Sequence, residues 1–233
     1  MPTNGREVLV VGGCGYVGHL IAPWLMVMYD GPLYNFEPKV CDPCPWRNRI
    51  IGDVTDLGQV FLAAQNKGAI LFLPMGKFDD PQSLFEVGVR GWYNCLLVAK
   101  ALRTPRVVLI SSLSVYDDWQ TANLESEDRP PICDAPYNVV KVLEEDLGRH
   151  FARCYGMSVL ALRIAQPKAE ASAIVGRRGD VPYATSDRKL AEAVVAALSL
   201  KGHVGFDAIH VTENKNPNAI NQEKAKRLLG WEP

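Results

Sequence analysis

Short apolar runs alternate with stretches of helical period along this chain. Val8-Leu9-Val10-Val11 and Ala69-Ile70-Leu71-Phe72-Leu73 are apolar at every position, which predicts strands buried on both faces. Tyr16 to Tyr29 predicts a helix, kinked or started late by Pro23. Pro38 to Asp42 predicts a short second strand, Arg49 to Ile51 a third, and Asp56 to Lys67 a helix. Ser83 to Arg103 predicts a long helix, followed by a strand over Arg106 to Ile110 that ends at Ser111 and Ser112. Thr121 to Asp134 is acidic, contains proline and has no period, which predicts a loop. Ala135 to Tyr155 places Val139, Val140, Leu143, Leu147 and Phe151 at helical spacing. Ser158 to Ile164 predicts a strand, Asp187 to Leu200 a helix, Ala208 to Val211 a last strand, and Asn221 to Leu229 a helix closed by Gly230. Strand and helix in this alternation predict an α/β fold: a doubly wound parallel sheet with helices on both faces.

Composition narrows the picture. A chain of 233 residues, 48% hydrophobic, has ample material for a core and suits one compact unit. The net charge of −1 gives no electrostatic case for nucleic acid or an anionic membrane as partner. The first seven residues lack the apolar run of a signal peptide, and no stretch is long and apolar enough to span a bilayer. A soluble, cytoplasmic protein is expected. Six cysteines are scattered, with Cys41 and Cys44 at Cys-x-x-Cys spacing. No second ligand pair completes a structural zinc site. Incidental thiols are therefore expected, and no metal.

Candidate chemistry lies in two motifs far apart in sequence. Directly after the first strand comes Gly12-Gly13-Cys14-Gly15-Tyr16-Val17-Gly18. Gly12 makes the turn, Gly15 lets backbone approach a phosphate, and Gly18 lets helix pack close to strand, as a dinucleotide pyrophosphate requires. Asp42, at the end of the expected second strand, is a candidate for the adenosine ribose hydroxyls. A carboxylate there favours NAD over NADP, although Arg47 and Arg49 could serve a 2′-phosphate instead. Asp53 is a candidate for the adenine amino group, or alternatively belongs to a helix cap that Thr55 or Asp56 could also form.

The second motif is Tyr137-Asn138-Val139-Val140-Lys141, which puts a phenol and an ammonium one helical turn apart. A phenol is a poor base near neutrality, since its reference pKa is about 10, and an adjacent ammonium stabilises the phenolate. Ser112, at the carboxyl end of a strand, sits where open α/β sheets bind ligands. Tyr137 as general acid/base, Lys141 as its electrostatic partner and ribose contact, and Ser112 as holder of the substrate oxygen would together serve hydride transfer.

With these motifs the chain resembles the extended short-chain dehydrogenase/reductase superfamily, the NAD-dependent epimerases and dehydratases, over nearly its whole length. Gly12 to Gly18 is similar to the family's glycine motif, Gly52-Asp53-Val54 to its adenine motif, and Ser111 to Tyr116 to its serine strand. Pro136-Tyr137 to Lys141, then Glu144, is similar to its active-site helix. The resemblance implies a Rossmann-type domain over residues 1–164. A much reduced substrate region would follow over 165–233, with a returning helix and strand and a C-terminal helix. It implies NAD as cofactor, contacted by Gly12, Gly15, Tyr16, Val17, Gly18, Val54 and Leu73 besides the aspartates, Tyr137 and Lys141. Substrate contacts would fall at Lys77, Ser112, Ser114, Arg177 and Arg178. Where the family often has a helix-borne asparagine, this chain has Gly88. The short region between Leu162-Arg163 and the Asp187 helix resembles the compact uronate dehydrogenases.

The reading that follows is a dehydrogenase of a small sugar-like molecule. Alternatives are a nucleotide-sugar epimerase or dehydratase that keeps its NAD, and a dinucleotide-binding regulatory protein without chemistry. A homodimer through the two long helices is a further implication of the resemblance.

Overall fold

The computed structural model describes residues 6–169, 184–214 and 219–233. Seven parallel strands form one sheet: β1 (Val8–Val11), β2 (Leu33–Glu37), β3 (Asn48–Ile51), β4 (Ala69–Phe72), β5 (Arg106–Ser112), β6 (Ser158–Ile164) and β9 (Gly205–Val211). Their order is β3-β2-β1-β4-β5-β6-β9, so the direction of winding reverses between β1 and β4. Two-residue strands β7 (Pro167–Lys168) and β8 (Thr185–Ser186) pair separately. The expected α/β fold with a doubly wound parallel sheet is the observed one.

The wholly apolar strands are explained by two cores. Val8 and Val10 of β1 face a core shared with Ile21 and Leu25 of α1 (Tyr16–Met28) and Leu190 and Val194 of α6 (Asp187–Ser199). Leu9 and Val11 face the opposite core, with Val60 of α2 (Leu57–Ala64), Trp92 and Leu96 of α4 (Gly91–Leu102) and Phe151 of α5 (Pro136–Tyr155). Period-two alternation thus sends successive side chains into different cores, and every position must be apolar. Trp92 and Leu96 are fully buried there, so neither is available to a dimer face.

Several expected boundaries shift. Pro23 lies inside a continuous α1 on its exposed side, where water can satisfy the carbonyl that loses its donor. The second strand is Leu33–Glu37, not Pro38 to Asp42: Gly31-Pro32 ends the preceding turn, and Leu33 to Phe36 pair with β1. The long helix is built in three parts: α3 (Pro81–Leu84), a π-helical segment Phe85–Arg90, and α4. It begins at Asp80, whose side chain caps Ser83 N, with Pro81 in the first turn. The last helix, α7 (Glu223–Leu229), ends at Gly230 with φ of +62°. The loop after β5 covers a small third core of Leu113, Val115, Tyr116, Leu124, Ala165 and Ile220.

Candidate active site

The carboxyl ends of β1, β2, β4, β5 and β6 open onto one cleft of about 1050 Å³. Gly12, Gly15, Tyr16, Val17 and Gly18 line one part of it. Gly12 takes φ of +80°, and a Cβ there would lie 2.8 Å from Pro74 Cγ, so only glycine fits the turn. Gly15 is the N-cap of α1, no side chain caps that end, and its first turn carries no acid. A Cβ at Gly15 would meet only Gly12 O, at 3.3 Å. The first N–H groups of α1 are therefore open to an anion, and the backbone can approach it closely. A dinucleotide fits these residues.

The loop after β2 closes onto the turn from outside. Gly13 N donates to Asn35 Oδ1 at 3.0 Å, and Trp46 Nε1 donates to Gly13 O at 2.8 Å. Cys14 N donates to Glu37 Oε1 at 2.6 Å. Cys14 and Cys41 form a disulfide, which corrects the expectation of incidental thiols. Because the true second strand ends at Glu37, that carboxylate, not Asp42, lies at the strand's end and lines the cleft. Burial pushes the Glu37 carboxyl up, offset in part by the Cys14 amide and by His19. Asp42 is exposed in the following loop and is not part of the cleft lining. The signal for Glu37 was in the chain: an Asp-Gly-Pro turn immediately followed by Leu-Tyr-Asn-Phe-Glu.

Asp53 and Val54 line the cleft beside Glu37. Asp53 Oδ1 accepts from Thr55 N at 2.8 Å and from Thr55 Oγ1 at 2.9 Å, while Asp56 is the N-cap of α2. The helix cap weighed for Asp53 therefore falls to Asp56, while one Asp53 oxygen is spent on Thr55 and its second oxygen remains for a ligand.

At the other end of the cleft the structure gathers Ser112, Ser114, Tyr137 and Lys141, with Leu73 and Lys77 between them and the glycine turn. The Lys141 ammonium lies 5.8 Å from the Tyr137 ring centre. Lys141 Nζ donates to Ile110 O at 3.1 Å and to Glu144 Oε2 at 2.9 Å. Burial alone would lower its pKa, but Glu144, Tyr137 and the hydrogen bond to Glu144 together outweigh burial and raise it. Burial pushes the Glu144 carboxyl up, with Lys141 opposing. The ammonium is thus held charged in a nearly dry place. Ser112 and Ser114 hydroxyls are 2.8 Å apart, and Ser114 N donates to Ser112 Oγ at 3.1 Å. Arg177 and Arg178 lie outside the described residues. Sequence reasoning did not single out Phe78, whose ring centre is 5.6 Å from that of Tyr137, nor the cleft residues Asn138 and Gln166.

Gly88 has a physical role here. A Cβ at that position would lie 2.6 Å from Val140 Cγ1 and 2.9 Å from Glu144 Oε1. Its π-helical segment packs on α5, so glycine makes room for the Glu144 carboxylate behind Lys141. A second buried ion pair anchors α5 to the sheet. Arg163 of β6 donates to Glu145 through Nε (2.9 Å) and Nη2 (2.7 Å), and Ser111 Oγ donates to the same carboxylate at 2.6 Å. Arg163 also donates to Tyr116 OH and to Glu127 O. Bidentate geometry fixes orientation as well as distance. The helix bearing Tyr137 and Lys141 is held in place by charge on its buried face.

Sheet order, uncapped helix and placement of the cleft define a dinucleotide-binding α/β protein with ligand groups at its switch point. The chain belongs to the NAD dependent epimerase/dehydratase family, whose model matches residues 8–207. It is 27% identical over 173 residues to an L-arabinose 1-dehydrogenase (NAD(P)(+)) of Haloferax volcanii. That match covers 68% of this chain and 66% of the relative, just under two thirds of its length. Uronate dehydrogenase from Agrobacterium tumefaciens superposes with a TM-score of 0.83 at 21% identity, over 98% of this chain and 84% of that one. UDP-glucose 4-epimerase from Brucella ovis, in complex with NAD, superposes with a TM-score of 0.80 at 17% identity, over 97% and 93%. These likenesses establish the fold. No helix among the described residues is long and apolar enough to cross a membrane.

Proposed function

We propose that this protein is an NAD-dependent dehydrogenase that oxidises a hydroxyl or hemiacetal carbon of a small sugar-like molecule. The supporting observation is the gathering of Ser112, Tyr137 and Lys141 in the same cleft as the open N-terminus of α1. NAD, held by Gly12, Gly15, Tyr16, Val17 and Gly18 with Glu37 toward its ribose, supplies the hydride acceptor when bound. Ser112 donates to the substrate oxygen and orients it. Tyr137 takes the hydroxyl proton, and the buried ammonium of Lys141 stabilises the phenolate as it forms. Glu144 and the Ile110 carbonyl keep that ammonium in place. Lys77 and Ser114 line the substrate end, and Phe78 covers the Tyr137 ring. Glu37 at the ribose position favours NAD over NADP, because a carboxylate repels a 2′-phosphate. The dehydrogenase names of the arabinose and uronate relatives make a free sugar the first substrate class to test. Cytoplasmic location and a homodimer complete the reading.

The test is NADH absorbance at 340 nm with NAD⁺ and a panel of free sugars, uronates and nucleotide sugars, for wild type and Tyr137→Phe. Net NADH from a free sugar or uronate is expected. Tyr137→Phe should lower turnover by roughly 10²–10⁴-fold, the usual worth of general acid–base catalysis, while NAD⁺ binding stays within about threefold. A converted nucleotide sugar without net NADH would assign the chain to epimerisation. Unchanged turnover in Tyr137→Phe would overturn the assignment of the base.

A further inference from the structure

The glycine turn carries a sulfur cluster that the proposed oxidation does not use. β1 and β2 are parallel neighbours, so their carboxyl ends bring Cys14, in the turn after β1, against Cys41, in the loop after β2. These two are joined. Cys44 is a free, half-buried thiol in the same loop, and the three sulfurs all lie within 4.8 Å of one another. A single crosslink needs two cysteines. A third thiol beside the bond supplies a nucleophile for exchange.

The cluster acts on the cofactor site because of where Cys14 sits. It directly precedes Gly15, the N-cap of α1, and its amide holds Glu37. Asn35 Nδ2 donates to Cys14 Sγ at 3.3 Å while Asn35 Oδ1 holds Gly13 N. Sulfur, turn and ribose-side carboxylate therefore form one connected unit. We infer that Cys14, Cys41 and Cys44 form a thiol–disulfide exchange site that sets the affinity of the turn for dinucleotide.

In the exchange step the Cys44 thiolate attacks Cys41 Sγ. The Cys41–Cys44 bond forms, the Cys14–Cys41 bond breaks, and Cys14 leaves as a thiolate, the proton that Cys44 gave having passed to solvent. No electrons enter or leave. A dithiol reductant can then reduce Cys41–Cys44 to two thiols, becoming a disulfide itself. While Cys14 is bonded to Cys41, the turn is fixed to the β2 loop and carries no charge. Once released, Cys14 frees the turn, and as a thiolate it competes with pyrophosphate for the positive end of α1. Both effects weaken dinucleotide binding.

The affinity part rests on the reading of the turn as a pyrophosphate cradle; the sulfur pairing does not. The test uses the full chain, with free thiols alkylated at lysis, disulfides mapped by peptide mass, and NAD⁺ binding measured calorimetrically. Binding is measured in the isolated state, after tris(2-carboxyethyl)phosphine, and after reoxidation with oxidised glutathione. Cys14–Cys41 and Cys41–Cys44 pairs are expected. Reduction should weaken NAD⁺ binding at least about fivefold, and reoxidation should restore it. Cys44→Ser should lose the Cys41–Cys44 species and keep the affinity of the oxidised state. Cys14→Ser should bind NAD⁺ with an affinity that no longer responds to reduction. Three free thiols that oxidised glutathione cannot pair, or stoichiometric zinc on them, would overturn the exchange site. Equal affinity in both redox states would overturn its effect on the cofactor. Absence of NAD⁺ binding in every state would instead overturn the cradle, and the mapped pairs would then decide the exchange alone.

Discussion

The Lys141–Glu144 pair is the point where stability and catalysis can be separated by experiment. The two charges are 2.9 Å apart, and the residues are 3% and 0% exposed. At an effective dielectric near 20 their attraction is about 6 kcal/mol. Taking both from water costs several kcal/mol each, so the intact pair contributes little net stability. Removing one partner is different, because the other is left buried without compensation, at a cost of about 3–5 kcal/mol. Lys141→Met should therefore lower unfolding stability in urea by about 3–5 kcal/mol. For a chain of this size each kcal/mol is about 2–4 °C in Tm. Glu144→Gln should cost less, since the Ile110 carbonyl still accepts from the ammonium. The double variant Lys141→Met with Glu144→Leu should recover to within about 1.5 kcal/mol of wild type, a coupling of at least about 2 kcal/mol. It should nevertheless stay inactive in the NADH assay, because the charge that stabilises the phenolate is gone. Additive losses in the double variant, or a Lys141→Met protein as stable as wild type, would refute the buried-pair argument. A stable and active double variant would refute the role of Lys141.

Two other outcomes follow from single side chains. Glu37→Gln keeps an acceptor for the Cys14 amide but removes the charge, so the kcat/KM preference for NAD over NADP should fall about tenfold; an unchanged ratio would remove Glu37 from the ribose site. His210 is fully buried, its Nδ1 donates to Asn221 O at 3.0 Å, and its Nε2 has no partner among the described residues. Burial above all pushes its pKa down to about 3, aided by Arg163 and Lys224 and opposed by the Asn221 hydrogen bond and by Glu145. A depressed folded value means that the contribution is present above the unfolded value near 6.5 and is lost as pH falls toward 3. Wild type should lose about 2–3 kcal/mol more than His210→Gln between pH 6.5 and 4.5, at about 1.4 kcal/mol per pH unit. Parallel urea-stability curves for the two proteins would sink that account.

Elements whose period is strong and whose ends carry stop signals were legible. β1 and β4 are apolar throughout, and α5 shows its buried stripe and ends at Gly156 with φ of +64°. Their neighbours Gly12 to Gly18, Ser112, Tyr137 and Lys141 were legible for the same reason: each sits at a fixed offset from a strand or helix end. β2 was misplaced because Leu-Tyr-Asn-Phe-Glu alternates weakly. Asn35 is buried, spent on holding Gly13 rather than on packing. That slip of one element carried the carboxylate at the strand's end from Glu37 to Asp42. The disulfide was illegible in principle, since pairing of Cys14 with Cys41 depends on strand adjacency, whereas Cys-x-x-Cys spacing points to the wrong partner. Glu144 was legible as part of the stretch similar to the family's active-site helix, but its pairing with Lys141 was not. Only the approach of the π-helical segment at Gly88 shows why a carboxylate is tolerated there.

Cofactor grip connects the sulfur cluster to the choice between dehydrogenase and epimerase. A dehydrogenase must release reduced cofactor in every turnover. An epimerase returns the hydride to its own substrate and has no such step. Here the turn that would grip pyrophosphate is tied to β2 by Asn35 and Glu37 and to the loop after it by Trp46 and a disulfide. Loosening one tie changes dissociation of the dinucleotide more than the chemistry of Tyr137, which lies at the far end of the cleft. Where release limits turnover, as it does in many enzymes, reduction of Cys14–Cys41 speeds a dehydrogenase at saturating NAD⁺ even while it raises KM. In an epimerase that holds its NAD, the same reduction leaves kcat alone until the cofactor is lost. A joint rise of kcat and KM on reduction is therefore a signature of cofactor exchange, and it can be read before the natural substrate is known, on any sugar that turns over.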